Sequence, residues 1–209
     1  MSSEEAPPQS SGDEKSSPAL PPPESVIKHP LEHPWTMWFF KNNRNKEWKV
    51  NQKPITTFHF VEDFWALYNH IVIVSKMENG CDYSLFKKGI WPMWEDPANC
   101  DGGRWLVTLD KRQRMDFLDD IWLEILLSLI GESLDECSPI INGAVVSVRP
   151  KVDKVAIWLG DASKENKVLN IGKKIKERLG IDKKITLGFE AHEDTMKKSG
   201  SVAKLRYTV

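Results

Sequence analysis

The chain has 209 residues, 40% of them hydrophobic, which suits one domain with a full core and leaves too little for two. Lys and Arg number 29 against 30 Asp and Glu, and a net charge of -1 excludes a polycation that coats nucleic acid by charge alone. The longest apolar run, 121–130, is broken by Glu124 and Ser128 and falls short of the ~20 residues of a bilayer span. Cys81, Cys100 and Cys137 are odd in number and share no close spacing, which argues against a disulfide framework or a zinc site and for a reducing compartment.

Residues 1–27 contain six Pro, seven Ser, no aromatic residue and five acids against one base. Such a composition cannot bury enough apolar surface to offset its ordering entropy. The segment therefore reads as a disordered acidic tail, and 28–209 as the folded domain. The tail lacks the basic start and apolar run of a signal peptide, and it is too acidic for a transit peptide. Its net charge of -4 leaves +3 for the domain, and residues 151–209 alone carry +6, so an anionic ligand is drawn to that end.

Runs rich in aromatic and β-branched residues predict strands at Trp35–Lys41, Tyr83–Lys87, Arg104–Leu109, Gly143–Val148, Val155–Leu159, Ile185–Phe189 and Leu205–Val209. Helical patterns cover Val61–Asn69, Asp116–Ile130 and Lys164–Leu179, the last two followed by Gly131 and Gly180 as stops. Short β–β connections, such as Val148 to Val155 across Pro150 and Asp153, favour an α+β fold with a largely antiparallel sheet. In the helix over 116–130, Leu118, Ile121, Trp122, Ile125 and Leu129 form one apolar stripe, and Leu123, Leu127 and Ile130 form a second, with Leu126 between. A helix apolar over most of its circumference is buried on two sides, or keeps one stripe for a partner. Trp65, in the shorter helix, raises the same choice.

Enzyme constellations are mostly absent. His29 and His33 are flanked by Pro30 and Pro34 and cannot share a helix face as metal ligands, while His59, His70 and His192 are isolated. There is no Gly-rich phosphate loop, and no metal or cofactor is implied. Tryptophan stands out, nine copies against three tyrosines. Trp48 sits in the polar stretch 42–49, and Trp94 lies in an irregular segment between Pro92 and Pro97, followed by Glu95 and Asp96. Two such indoles can cap core edges, or they can clamp a flat ring. Stacking contributes roughly 1–3 kcal/mol per base, and a cationic ring adds a cation–π attraction of about 0.5–2 kcal/mol. An adjacent carboxylate accepts two N–H bonds from a guanine edge.

Longer motifs sharpen the choice. His29-Pro30-Leu31, Trp35-Thr36-Met37-Trp38-Phe39-Phe40, the run 61–71 beginning Val61-Glu62-Asp63-Phe64-Trp65, Asp82-Tyr83-Ser84-Leu85-Phe86-Lys87, Pro92-Met93-Trp94-Glu95-Asp96, Gly102-Gly103-Arg104-Trp105, Leu129-Ile130-Gly131-Glu132 and Gly143-Ala144-Val145-Val146 occur in this order. Together they closely resemble the eukaryotic translation initiation factor 4E family, which binds the 5′ cap of messenger RNA, over about 28–209.

The resemblance implies a curved, largely antiparallel sheet with three helices on its convex face and the cap pocket on the concave side. It matches Trp48 and Trp94 to the indoles that sandwich 7-methylguanine. Glu95 matches the carboxylate on guanine N1 and N2, and Trp158 the contact to the N7 methyl group. Arg149 and Lys154 match cations on the triphosphate, with Arg104 and Lys151 as outer contributors. His29, Pro30, Val61, Trp65, Leu123, Glu124, Leu127, Ile130 and Gly131 match a dorsal face that receives a short helix from a scaffold initiation factor of the 4G type or from 4E-binding repressors. Ser201 matches a phosphorylation site. The implied protein is a non-enzymatic, monomeric, cytoplasmic factor, with the nucleus a second possible location; a cap-binding repressor with other dorsal partners is the alternative. Three places depart from the family pattern, one of them His33-Pro34 ahead of the first strand. His59-Phe60 replaces a threonine cap, a loss that costs typically ~1 kcal/mol and predicts a weaker start to the short helix. Trp91 precedes Pro92, either at the pocket rim or beneath the loop.

Overall fold

Alternating large apolar and smaller or polar side chains build eight strands, all antiparallel to their neighbours, into one curved sheet among the described residues of the computed structural model, which are 27–43, 45, 47–180, 186–196 and 205–209. Tail residues 1–26 and Ser201 lie outside them. The strands are β1 (Pro30–Lys41), β2 (Gln52–Phe60), β3 (Cys81–Lys87), β4 (Gly103–Asp110), β5 (Ile141–Ser147), β6 (Val152–Leu159), β7 (Gly188–Ala191) and β8 (Tyr207–Thr208). Their order across the sheet is β2-β1-β3-β5-β6-β4-β7-β8.

The expected strands appear, with shifted ends. β1 starts earlier, at Pro30, the strand expected to end at Phe189 runs over Gly188–Ala191, and the last one shortens to Tyr207–Thr208. The pattern does not announce β2. It is an edge strand, exposed from Lys53 to Thr57, and it contains Pro54, whose missing N–H is tolerated only where no neighbour needs it.

Three helices close one face of the sheet: α2 (Val61–Tyr68), α3 (Asp119–Ile130) and α4 (Glu165–Arg178); α1 (Trp48–Asn51) and α5 (His192–Met196) are single turns. In α2, Phe64 buries its ring 5.7 Å from Phe58 of β2. Trp105 of β4 donates its indole N–H to the Val168 carbonyl of α4 at 3.0 Å, and a Cβ at Gly172 would collide with the same ring. Glycine therefore lets α4 lie flat on the tryptophan. In and before α3 the stripe of Leu118, Ile121, Trp122, Ile125 and Leu129 is buried as expected, together with Leu126. Leu123 and Leu127 remain half-buried, so the second stripe is only partly covered.

The helix expected from Asp116 begins at Asp119, because Arg114–Leu118 wind as a wider π-helical turn. Two anchors hold that turn: buried Arg114 reaches Asp153, and Asp119 accepts the backbone N–H and hydroxyl of Ser75. At the far end the left-handed conformation falls on Glu132, with φ 49°, one residue past the stop at Gly131. No side chain caps α2. The His29 carbonyl accepts the Val61 N–H at 2.9 Å instead, and the Glu62 carboxylate accepts both the His29 N–H at 2.9 Å and its ring N–H at 2.6 Å. The missing threonine is thus replaced by a neighbouring segment, and the His29 contacts hold the Glu62 carboxyl down at about 2.

The β5–β6 turn is held from below. Asp153, fully buried, accepts from Arg114 at 2.6 and 2.8 Å and from the Arg149 N–H at 2.9 Å, while Arg114 also donates to the Arg149 carbonyl at 2.6 Å. Breaking a buried ion pair on one side leaves an uncompensated charge. Asp153→Ala is expected to lower unfolding free energy by about 3–5 kcal/mol, measured by urea denaturation.

Candidate functional site

Strand register fixes which side chains share the face without helices. One transverse row runs Thr36, Phe86, Gly143, Trp158, Arg104, Glu190. The next runs Trp38, Ser84, Val145, Ala156, Leu106. The third runs Gln52, Phe40, Asp82, Ser147, Lys154, Thr108. Of the nine tryptophans, Trp35, Trp105 and Trp122 are in the core, Trp65 is on the helical side, and five are on this front.

Those five have separate supports. Trp158 is buried, edge-on to Phe86 at 5.6 Å, and Gly143 makes room, since a Cβ there would lie 2.6 Å from the Phe86 ring. Trp94 is half-buried against the Phe86, Ala156 and Trp158 cluster. Trp91 leans on Trp38 with centroids 4.7 Å apart and stays 42% exposed, so it is a rim residue of the front and not a prop beneath the loop. Trp48 opens α1 with its ring 5.8 Å from Phe40, and it is 45% exposed. No ring contact joins Trp48 to Trp94 among the described residues.

The Trp94 loop is stiffened by groups that sequence reasoning missed. Buried Asn99 donates to the carbonyls of Trp91 and Met93 at 2.9 Å each. The Asp96 carboxylate accepts the N–H groups of Trp91 and Ala98, and Asn142 donates to the Ala98 carbonyl and to Asn99. The sequence signal is the carboxamide itself, a donor and acceptor pair in an irregular segment. Glu95 lies exposed on this loop.

The cations divide into two kinds. Arg149 forks onto Asp82, at 3.0 Å for one branch, and burial pushes the Asp82 carboxyl up while Arg149 pulls it down. Arg104 grips one oxygen of Glu190 with Nε at 3.0 Å and Nη2 at 2.8 Å. Lys154 in the third row and Lys151 in the β5–β6 turn are exposed and have no ion-pair partner among the described residues. The two arginines are thus fixed and compensated, and the two lysines carry the free positive charge.

Four buried polar atoms on or beside this face have no hydrogen-bond partner among the described residues: Trp38 Nε1, Gln52 Nε2, Trp158 Nε1 and His192 Nε2. His192 lies 4.4 Å from the Trp158 ring, almost fully buried. Burial, reinforced by the Arg104 charge, pushes the imidazole down to about 4, so it is neutral at pH 7.

On the opposite side, Trp65 is 37% exposed and makes edge contacts with Phe64 and Tyr68. Leu123 and Leu127 of α3 and Val61 at the start of α2 are half-buried, His29, Pro30 and Gly131 are exposed, and Ile130 is buried at 6%. Glu124 is paired with Arg178 at 2.8 Å.

The depressed His192 pKa sets a sign for acid stability. The unfolded chain takes the proton below about pH 6.5 and the folded one resists until about 4, so stability is complete above that window and falls with pH within it. The expected loss from this group is about 3 kcal/mol between pH 7 and pH 4. His192→Gln should lose correspondingly less over that range, in urea unfolding series at pH 7, 5.5 and 4.

The same architecture is found in known proteins. The sequence model of the family described as Eukaryotic initiation factor 4E matches residues 30–206. Eukaryotic translation initiation factor 4E of Aplysia californica is 55% identical over 190 residues, spanning 91% of this chain and 88% of that protein. The Homo sapiens protein of the same name is 55% identical over 187 residues, 90% of this chain and 86% of its own length. Among solved structures, Ascaris suum eIF4E-3 with m7G cap superposes with a TM-score of 0.82 at 44% identity, covering 88% of this chain and 98% of that one. Caenorhabditis elegans eIF4E-3, in complex with the 4E-binding protein Mextli and cap analog, gives 0.81 at 44% identity, covering 88% of this chain and 100% of that one. With a family match across most of its domain and relatives above half identity, the chain belongs to the eukaryotic initiation factor 4E family.

Proposed function

We propose that the protein binds the 7-methylguanosine cap of messenger RNA on the front of its sheet and delivers capped messenger RNA to the translation initiation machinery through its helical back. The observation that carries this reading is the gathering of indoles on the one sheet face left open by the helices, on the same front as Lys154 and Lys151, which have no ion-pair partner among the described residues. It is supported by the relatives solved with m7G cap and with Mextli. The action is binding without catalysis. Its place is the cytoplasm, and no helix of the described residues is long and apolar enough to cross a membrane.

In this reading Trp48 and Trp94 sandwich the methylated base, whose positive charge strengthens stacking on electron-rich indoles. Glu95 accepts the N1 and N2 protons, the Trp94 backbone N–H reaches O6, and Trp158 lies against the methyl group. Arg149 and Lys154 hold the phosphates, with Lys151 and Arg104 farther out. Trp65, Leu123 and Leu127 receive a partner's amphipathic helix, with His29, Pro30, Val61, Glu124 and Gly131 around them and Ile130 packed beneath. Ser201 is the proposed phosphate acceptor.

Retention on 7-methylguanosine-triphosphate resin, with elution by free cap analogue and not by GTP, tests the cap reading. Trp48→Ala or Trp94→Ala is expected to weaken binding by roughly one to two orders of magnitude, the size of one lost stack. Unchanged fluorescence quenching in both variants would refute the clamp.

The back is tested separately. Trp65→Ala is expected to abolish binding of a scaffold-derived helical peptide, measured by calorimetry, while resin retention stays intact. Loss of both together would place Trp65 in the fold instead.

A further inference from the structure

The ion pair between Arg104 and Glu190 lies on the proposed phosphate side of the front, and it alters what that side can do. Glu190 is the cross-strand neighbour of Arg104 on β7, and Trp158 is its neighbour on the other side, on β6. Both Arg104 contacts go to one carboxylate oxygen, and the side chains are only 24% and 10% exposed. A pair so placed is weakly screened, and its guanidinium is already committed. His192 lies behind Trp158, buried and uncharged at pH 7, so it adds no cation there.

We propose that Glu190 limits the grip of this site on phosphate: by holding Arg104, it withholds one cation from the ligand and leaves phosphate affinity to Lys154, Lys151 and Arg149. This rests on the cap-binding reading. It makes Glu190 a positioning residue that sets how steeply affinity rises with the number of phosphates. A carboxylate in the row of Trp158 also repels the ligand's phosphates directly, and the guanidinium cancels that repulsion only while the two stay paired.

The proposal predicts a gain of binding, which damage to a structural residue would not produce. In Glu190→Gln the guanidinium is free to turn to the phosphates. Affinity for 7-methylguanosine triphosphate is expected to rise about three- to tenfold at low salt, and the gain to shrink as ionic strength increases. Affinity for 7-methylguanosine without phosphate should stay within about twofold, since no charge on the base side changes. In the double variant Glu190→Gln/Arg104→Gln the freed guanidinium is gone, so the gain in triphosphate affinity should disappear. Should Glu190→Gln fail to fold, Arg104→Gln carries the test. The released carboxylate then repels phosphate, and triphosphate affinity should fall about tenfold or more with the nucleoside unaffected.

Titrations by fluorescence quenching with the nucleoside and its mono-, di- and triphosphates read all of these outcomes. Equal triphosphate affinity in wild type and Glu190→Gln, a gain that persists in the double variant, or a change of equal size for nucleoside and triphosphate would each overturn the proposal. Failure of the wild type to bind any of the four would overturn the cap reading instead.

Discussion

The constraint on which the rest depends is the two-residue alternation of the central strands. In β4, Gly103, Trp105, Val107 and Leu109 are buried, while Arg104, Leu106, Thr108 and Asp110 are half-buried or exposed. The same division continues through Val155 and Ile157 against Lys154 in β6, and through Ala144 and Val146 against Val145 and Ser147 in β5. Helices α2, α3 and α4 cover one set, and each fully buried large side chain contributes about 1.5–3 kcal/mol. Slipping β4 by one residue would turn Trp105 to the front and drive Arg104 into the core. The energy that selects the fold therefore also selects which residues line the front.

Charge on the front is arranged by the same register. Three arginines are each tied to a carboxylate: Arg149 to Asp82, Arg104 to Glu190 and, underneath, Arg114 to Asp153. The planar guanidinium suits such fixed forks, whereas an ammonium on a flexible stem remains hydrated and mobile. Arginine here sets position and lysine supplies net charge. The Arg149 guanidinium, although forked onto Asp82, stays partly exposed. Arg104, more enclosed and opposed by Glu190, is less available.

Much of this was legible in the sequence, for reasons that differ from part to part. The core strands and the buried stripe of α3 have strong periodicity and were readable from it. β2 was not, because an edge strand with Pro54 and exposed Thr56 and Thr57 need not alternate in hydrophobicity. The π-helical turn at Arg114–Leu118 was hidden because its cause, Asp153, is distant in sequence. The candidate clamp residues stood out as indoles in polar or proline-punctuated stretches, and the family motifs gave them roles. Their supports, Asn99 beneath the Trp94 loop and Phe40 beneath Trp48, emerge only from the folded arrangement. Pairing between Arg104 and Glu190 was equally invisible, since it depends on β4 and β7 being neighbours.

The replaced helix cap links the two faces of the sheet. β1 sends Trp38 and Phe40 to the front, Trp35 and Met37 to the core, and its leading residues to the start of α2. His29 satisfies the Val61 N–H and clasps Glu62, and Lys28 pairs with Asp63 at 2.6 Å. Both acids stand in the first turn, where the helix dipole also favours them. Without a capping side chain at Phe60, the orientation of α2, and with it that of Trp65, depends on residues 28–30 being in place. The segment just ahead of the sheet is therefore structurally part of the dorsal surface. Front and back are separate faces, and β1 is the element in which their geometry is shared.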